Sequence, residues 1–426
     1  VSFVSLDQGT DGVRVRLARA DGTEETAEAA YVVGCDGAHS AVRRALGIAF
    51  EGDAFPYPFM LGDVRLDWPA GSALERGHAL RAIVLHDDAP PDLFVAVPLP
   101  EHDRYRVSMM AEADAEDEAA DGVAHGLQTD RLGVPLAALQ AVAGRIMASP
   151  PVLSDLRWSS RFRISMRLAA RYRDSRVFIA GDATHIHPPT GGQGMNTGIQ
   201  DAYNLAWKLA LVLAGRADAA LLDTYEAERR PVARDVIART TEESVNFGRP
   251  RTPPHRLADT QLLVTYRGRA GLADHGEAAP EDAPRAGDRA PDAHGLHRRG
   301  VGFPLRLFDL TRGTEHVLLV AAEPDPATLA ALEADAAALR AIGLPLRLVA
   351  VAPASAFASV EGAPASVAPM PFGVTLVHDA EGAFAAAYRT TPGAAFLVRP
   401  DGYLAFTARP YERAALEAAL AAIAAR

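Results

Sequence analysis

Cysteine is nearly absent: Cys35 is the only one among 426 residues. An internal disulfide and a Cys-x-x-Cys redox centre are thereby excluded, and a reducing cytoplasm suits such a chain. Long apolar runs are missing as well. None approaches the roughly 20 residues that span a bilayer. The first residues show no basic region followed by an apolar core, the mark of a secretory leader. Positive charge is in the minority, with Lys+Arg 43 against Asp+Glu 54 and a net charge of −11. That balance argues against nucleic acid or an anionic membrane as partner. There is no Gly-x-Ser-x-Gly elbow and no Gly-x-x-x-x-Gly-Lys-Ser/Thr phosphate loop, so a serine nucleophile and a P-loop are unsupported. Gly-x-Gly-x-x-Gly is missing too.

What remains is globular in composition, 49% hydrophobic and 23% charged. The length suffices for two or three domains. The most informative stretch is residues 176–214. Residues 177–180 are a short apolar run fit for a buried strand, stopped by Gly181-Asp182. Pro188 and Pro189 then hold the chain extended. Gly191, Gly192 and Gly194 let backbone approach a ligand with no Cβ in the way. From about Met195 the pattern becomes helical, with Ile199, Ala202, Ala206, Leu209 and Leu213 on one stripe. A helix N-terminus behind a glycine loop favours a flat or anionic group. Asp182 at the strand end can accept hydrogen bonds from sugar-type hydroxyls. A polyol-linked cofactor whose ring becomes anionic suits this arrangement. His185 and His187 beside Asp182 leave a competing reading open, a metal site. Its third ligand would have to be Asp182, and spacing alone is weak evidence, so no metal is expected.

A second strand–turn–helix precedes it. Residues 31–35 read as a buried strand, Asp36-Gly37 as a turn, and Ser40 as the N-cap of a helix that carries Arg43.

These two stretches together resemble the FAD-dependent aromatic hydroxylases of class A, the p-hydroxybenzoate hydroxylase fold. Gly181-Asp182 matches that family's "GD" pair. His187-Pro188-Pro189, Gly191-Gly192-Gln193-Gly194 and Asn196 match the loop and helix start behind that pair. Asp36, Gly37, Ser40 and Arg43 match its "DG" motif. The resemblance implies an α/β fold in which a discontinuous, Rossmann-like FAD-binding domain carries an inserted, mostly antiparallel substrate-binding sheet. It implies cofactor contacts from Asp36, Gly37, Arg43, Gly181, Asp182, Pro189, Gly192, Gly194, Met195 and Asn196. Asp182 would hold the ribityl chain, Asp36 would lie near the pyrophosphate, and residues 188–194, Pro189 among them, would shape the site of oxygen attack. The implied reaction is hydroxylation of a phenolic or polyketide aromatic. NAD(P)H reduces FAD as a transient co-substrate, and a C4a-hydroperoxyflavin delivers the oxygen. No general base stands out. Epoxidases and Baeyer–Villiger enzymes share the fold.

Such a family member opens with a Gly-x-Gly-x-x-Gly unit of about 30 residues, which this numbering does not contain. It could stand upstream, come from a second polypeptide, or be lost. In the last case the chain could be an FAD-less remnant kept as a binding partner.

The remaining chain divides accordingly. Residues 1–50 are expected as the first part of the FAD domain, without its first βαβ unit. Residues 51–160 are expected as the substrate domain, with strands at 60–66, 80–86, 93–98 and 105–111, an acidic loop at 112–121, and a helix at 136–147. Phe94 and Ala96 are candidates to face the substrate pocket, with an ordinary core role equally open. Residues 161–266 complete the FAD domain and its helices, and 267–294 read as a linker rich in Gly, Ala, Asp and Pro. Residues 295–426 read as strands at 305–308, 317–321, 346–351 and 374–377, a hairpin across Asp401-Gly402, and helices at 326–341 and 411–425. That order resembles the thioredoxin-like C-terminal domain of the polyketide and phenol hydroxylases. Without cysteine it cannot perform thiol–disulfide exchange, so packing or homodimerisation is its expected role.

Overall fold

The computed structural model describes residues 1–54, 58–69, 78–86, 91–110, 126–127, 133–188, 192–245, 260–358 and 373–421. The acidic loop expected at 112–121 lies outside them, as does Pro189. The chain forms two compact units, Val1–Ile199 with Ala233–Pro254, and Gln200–Val232 with His255–Arg426.

The first unit opens with an antiparallel meander of β1 (Ser2–Gln8), β2 (Val13–Ala18) and β3 (Glu24–Ala29). Strict alternation in β2 buries Val13 and Val15 and exposes Arg14 and Arg16, as period two requires. The short strand β4 (Val32–Gly34) leads to helix α1 (Ala41–Ala45), whose N-cap is Ser40 as expected. Strand β5 (Phe50–Ala54) comes next.

The inserted region is a six-stranded sheet, antiparallel throughout. It comprises β6 (Phe59–Asp67), β7 (Leu80–Val84), β8 (Asp92–Pro98), β9 (Arg104–Met110), β10 (Gly126–Leu127) and β11 (Val152–Arg163), in the order β10-β11-β6-β9-β8-β7. Helix α2 (Leu136–Ile146) covers one face through Leu139, Val142 and Ala143, packed on Met60, Val64, Phe94, Ala96 and Val107. The other face carries Phe59 and Leu93 with the half-buried Ile83, Val95, Met110 and Phe162, and Ile164 and Met166 of the following segment pack against them.

The chain then returns through β12 (Ser165–Ala169), β13 (Arg173–Asp174), β14 (Val177–Ile179) and β15 (His185–Ile186). Strand β14 lies parallel to β4, pairing Val177 with Val32 and Ile179 with Gly34. Strand β12 lies between β5 and β15. Helices α3 (Gly194–Leu213) and α4 (Asp223–Val245) each begin in one unit and end in the other.

In α3 the face marked by hydrophobicity is not the buried one. Ile199 and Leu213 are 58% and 59% exposed, and Ala202 and Ala206 are exposed as well. The buried face carries Asp201, Asn204, Leu205, Lys208 and Leu211. Its polar members are all paired, which makes their burial tolerable.

The second unit is built on a seven-stranded sheet. Its strands are β16 (Ala273–Gly276), β17 (Leu296–His297), β18 (His316–Ala321), β19 (Leu346–Ala352), β20 (Val374–Asp379), β21 (Ala395–Val398) and β22 (Leu404–Arg409). Helix α5 (Leu307–Thr311) precedes β18, and α6 (Pro326–Ala341) joins β18 to β19. Helix α7 (Ala354–Ala358) follows β19, α8 (Ala383–Tyr388) follows β20, and α9 (Arg413–Ala421) follows β22. The inner order β19-β18-β21-β22 has a parallel first pair and an antiparallel hairpin. With α6 and α9 it makes a βαβ–ββα arrangement.

Two local expectations differ from the structure. Residues 305–308 do not form a strand beyond a bridge between Leu305 and Leu296. Asp309 accepts from Arg306 N at 3.0 Å and starts α5 there instead. Residues 267–294, expected as a linker, supply β16, which pairs with β22, and bury Ala283, Ala286, Ala290 and Ala293. Alanine-rich composition looks like a linker, but a small side chain also packs closely.

Candidate cofactor site

Because β4 and β14 are parallel neighbours, the turns behind them emerge from the same end of the sheet. Asp36-Gly37 leaves β4, and Gly181-Asp182 leaves β14. Ligands of open α/β sheets bind at the carboxyl ends of such strands.

Arg43 ties the two turns together. Its Nη1 donates to Ala183 O at 2.9 Å and its Nη2 to Ala38 O at 2.8 Å, and its guanidinium lies 3.8 Å over the Phe50 ring. It is only 2% exposed. The Asp36 carboxylate accepts from Ser40 Oγ at 2.5 Å and from Val42 N at 3.1 Å, while Ser40 Oγ accepts from Arg43 N at 2.9 Å. Asp36 thus organises the start of α1 and remains exposed.

The second turn is a single 3-10 turn, Gly181–Ala183, closed by Thr184 N and Thr184 Oγ1 donating to Gly181 O at 2.8 and 2.6 Å. Gly181 has φ +63°, a conformation that disfavours any side chain. Helix α3 passes close by. A Cβ on Gly198 would stand 3.2 Å from the Gly181 Cα. Asp182 is exposed at the mouth of this turn.

The start of α3 is fixed from α4. Gln193 is fully buried, its Oε1 accepts from Arg239 Nη2 at 2.5 Å, and its backbone oxygen accepts from Thr197 N and Oγ1 at 2.9 and 2.8 Å. Asn196 Nδ2 donates to Gly192 O at 3.3 Å. Met195, 75% exposed, and Asn196 stand open on the first turn, where backbone N–H groups have no partner within the helix.

Comparison with known proteins agrees with this geometry. The family model described as FAD binding domain matches residues 1–240, and one described as HcaD C-terminal domain matches 305–423. The chain belongs to the FAD-binding domain family. It is similar to a flavin-dependent monooxygenase of Mycobacteroides abscessus, 39% identical over 74% of this chain and 60% of that protein. Among solved structures it resembles the OxyS anhydrotetracycline hydroxylase from Streptomyces rimosus, 31% identical, covering 100% of this chain and 75% of that one, with a TM-score of 0.66. It also resembles aklavinone-11 hydroxylase, solved with FAD and aklavinone, 28% identical, covering 98% and 72%, with a TM-score of 0.69. The chain spans 60% of the length of the first of these relatives.

The residues present fit an FAD. An exposed carboxylate at Asp182, a turn and a helix that meet at Gly181 and Gly198 without side chains, and the open first turn of α3 supply an acceptor, a close backbone approach and donors. The structure gathers Asp36, Gly37, Arg43, Gly181, Asp182, Gly192, Gly194, Met195 and Asn196 in one unit. It places Arg43 as the clamp between the turns, with two of its donors given to backbone carbonyls. Phe94 and Ala96 are 0% exposed in the cluster beneath α2. The neighbours Leu93, 3% exposed, and the half-buried Val95 alternate onto the opposite face.

Sequence reasoning missed Gly198 and the Gln193–Arg239 pair. The four-residue spacing of Gly194 and Gly198 on one helix face was the signal for the first. Nothing local announces Arg239, which lies 46 residues from Gln193. Among the described residues no group of three or more His, Cys, Asp or Glu side chains could hold a metal ion, and no helix is long and apolar enough to cross a membrane.

Proposed function

We propose that this chain belongs to an FAD-dependent monooxygenase that hydroxylates an aromatic, phenolic or polyketide-type substrate with NAD(P)H and O₂. The observation that carries the reading is the pair of parallel strands delivering Asp36 and Asp182 to one sheet end, clamped there by Arg43. Bound FAD supplies hydride acceptance and oxygen activation. The protein's own residues bind and orient. Asp182 accepts from the ribityl hydroxyls, and the first turn of α3 directs its N–H groups and partial positive charge at the ring. Arg239 and Gln193 keep that turn in place.

The substrate wall in this reading is the face of the six-stranded sheet opposite α2. Leu93, Val95 and Met110 lie there beside Phe162, which stacks on Phe59 at 5.2 Å, with Met166 of β12 packed against them. A half-buried apolar and aromatic surface suits a flat, fused-ring molecule. A reducing cytoplasm is the compartment that fits a chain with one exposed cysteine.

The test is FAD titration of wild type and Asp182→Ala. Loss of charge-assisted hydrogen bonds costs about 1.5–3 kcal/mol, so the variant's affinity should fall by tenfold or more with unchanged circular dichroism. An unaltered affinity overturns the assignment.

A further inference from the structure

His187 carries a feature that the flavin reading leaves unused. The residue is 7% exposed, and among the described residues its Nε2 has no hydrogen-bond partner. Its Nδ1 lies 2.9 Å from Pro188 O. A carbonyl only accepts, so the ring proton sits on Nδ1 and Nε2 presents a bare lone pair. Burial holds the imidazole below the ordinary histidine range, with the charges of His185 and Arg239 acting in the same direction and Asp182 against them. The ring is therefore neutral at pH 7. Nε2 faces the beginning of α3: a Cβ on Gly194 would stand 3.8 Å from it. A buried acceptor beside a row of helix donors is costly unless something fills it.

The complementary group has a donor flanked by acceptors. In the oxidised isoalloxazine the only ring N–H is the imide of the pyrimidine edge, and a carbonyl stands on either side of it. We propose that His187 Nε2 accepts the imide N–H of FAD, while the first turn of α3 donates to a neighbouring carbonyl. This rests on the flavin reading above and makes His187 a binding residue that sets the ring's register on the helix.

The probes are FAD and 3-methyl-FAD, in which a methyl group replaces the imide hydrogen, each titrated into the whole chain and followed by flavin fluorescence. Wild type should prefer FAD by about five- to tenfold, the scale of one hydrogen bond. His187→Phe should lose the preference. His187→Gln, which keeps an oxygen near the Nε2 position, should retain most of it. A preference unchanged in His187→Phe overturns the proposal, as does a wild type that binds both flavins equally, the result expected if a ribityl hydroxyl were the donor. Bound ¹⁵N-labelled FAD gives a reading that needs no variant. Its imide proton should move downfield from free FAD, and an unmoved resonance overturns the proposal. Failure to bind either flavin overturns the flavin reading itself, and this inference with it.

Discussion

Single residues in this protein do their work by where their polar atoms end, and His316 shows it in the second unit. It is fully buried, neither ring nitrogen has a hydrogen-bond partner among the described residues, and it stands edge-on to Trp207 at 5.3 Å. Burial, aided by the Arg399 charge, pulls its pKa down to about 4. The unfolded chain titrates near 6.5. Between those values the unfolded state binds more protons, so stability falls as pH drops through the window from 6.5 to 4. The full loss is about 3 kcal/mol. His316→Phe keeps a ring against Trp207 and forfeits no hydrogen bond. Urea unfolding of this variant at pH 7 and pH 4.5 should show a smaller acid loss than wild type. An equal loss in both would place the acid sensitivity elsewhere.

Elements were legible where a simple period governed them. The helix expected at 326–341 is α6 to the residue, and the strands of the inserted sheet fall within a residue or two of expectation. Period two and period 3.6 report burial directly when apolar side chains face a core. The stripe on α3 failed because its buried face is charged. Asp201 accepts from Arg229 Nε at 2.8 Å, and Lys208 donates to Glu228 at 2.8 Å. Partners 20 and 28 residues away are invisible to a hydropathy window. The cofactor site was legible in its glycines and carboxylates, whereas Gly198 was not, because its reason is a contact across the site. That contact gives a prediction. Gly198→Ala puts a Cβ 3.2 Å from the Gly181 Cα, so the turn or the helix must shift. Overpacking of this kind costs about 1–3 kcal/mol. The displacement falls on the turn that carries Asp182, so FAD affinity should drop along with the melting temperature. Gly215→Ala, where a Cβ meets nothing within 4 Å but φ is +66°, serves as a control for backbone strain. It should lower the melting temperature and leave FAD affinity alone. Equal effects on affinity from both would refute the steric argument.

At the scale of the molecule, the second unit joins chain segments that the sequence keeps far apart. Its core combines Trp207 and Leu211 of α3 with Leu318, Leu348, Leu397 and Phe406 of the sheet. Arg399, from the β21–β22 hairpin, is 4% exposed. It donates to Glu228 Oε1 and Oε2 at 2.7 and 2.9 Å and to Asp401 Oδ1 at 3.0 Å. Glu228 also accepts from Asn204 at 2.6 Å, and Asp401 from Trp207 Nε1 at 3.1 Å. Two cations, Lys208 and Arg399, thus balance two carboxylates away from water. Burial pushes the Glu228 carboxyl up, but the charges of Arg399 and Lys208 outweigh it and hold it below the usual carboxylate range. Burial pulls Lys208 down to about 8. Hydrophobic patterning reveals none of this, since the hairpin stands 171 residues from Glu228. The consequence is that the C-terminal sheet is not an appendage to the helices of 200–232. Removing one partner of a buried ionic group leaves an uncompensated charge and costs about 3–5 kcal/mol. Arg399→Met should therefore lower the urea midpoint sharply while a surface control, Arg389→Met, at an exposed pair with Asp282, changes it by no more than the ~1 kcal/mol typical of such pairs. Replacing both Arg399 and Glu228 by methionine removes one charge of each sign, so it should recover part of the loss. A double variant as unstable as the sum of the two singles would show that the network adds nothing beyond its separate contacts.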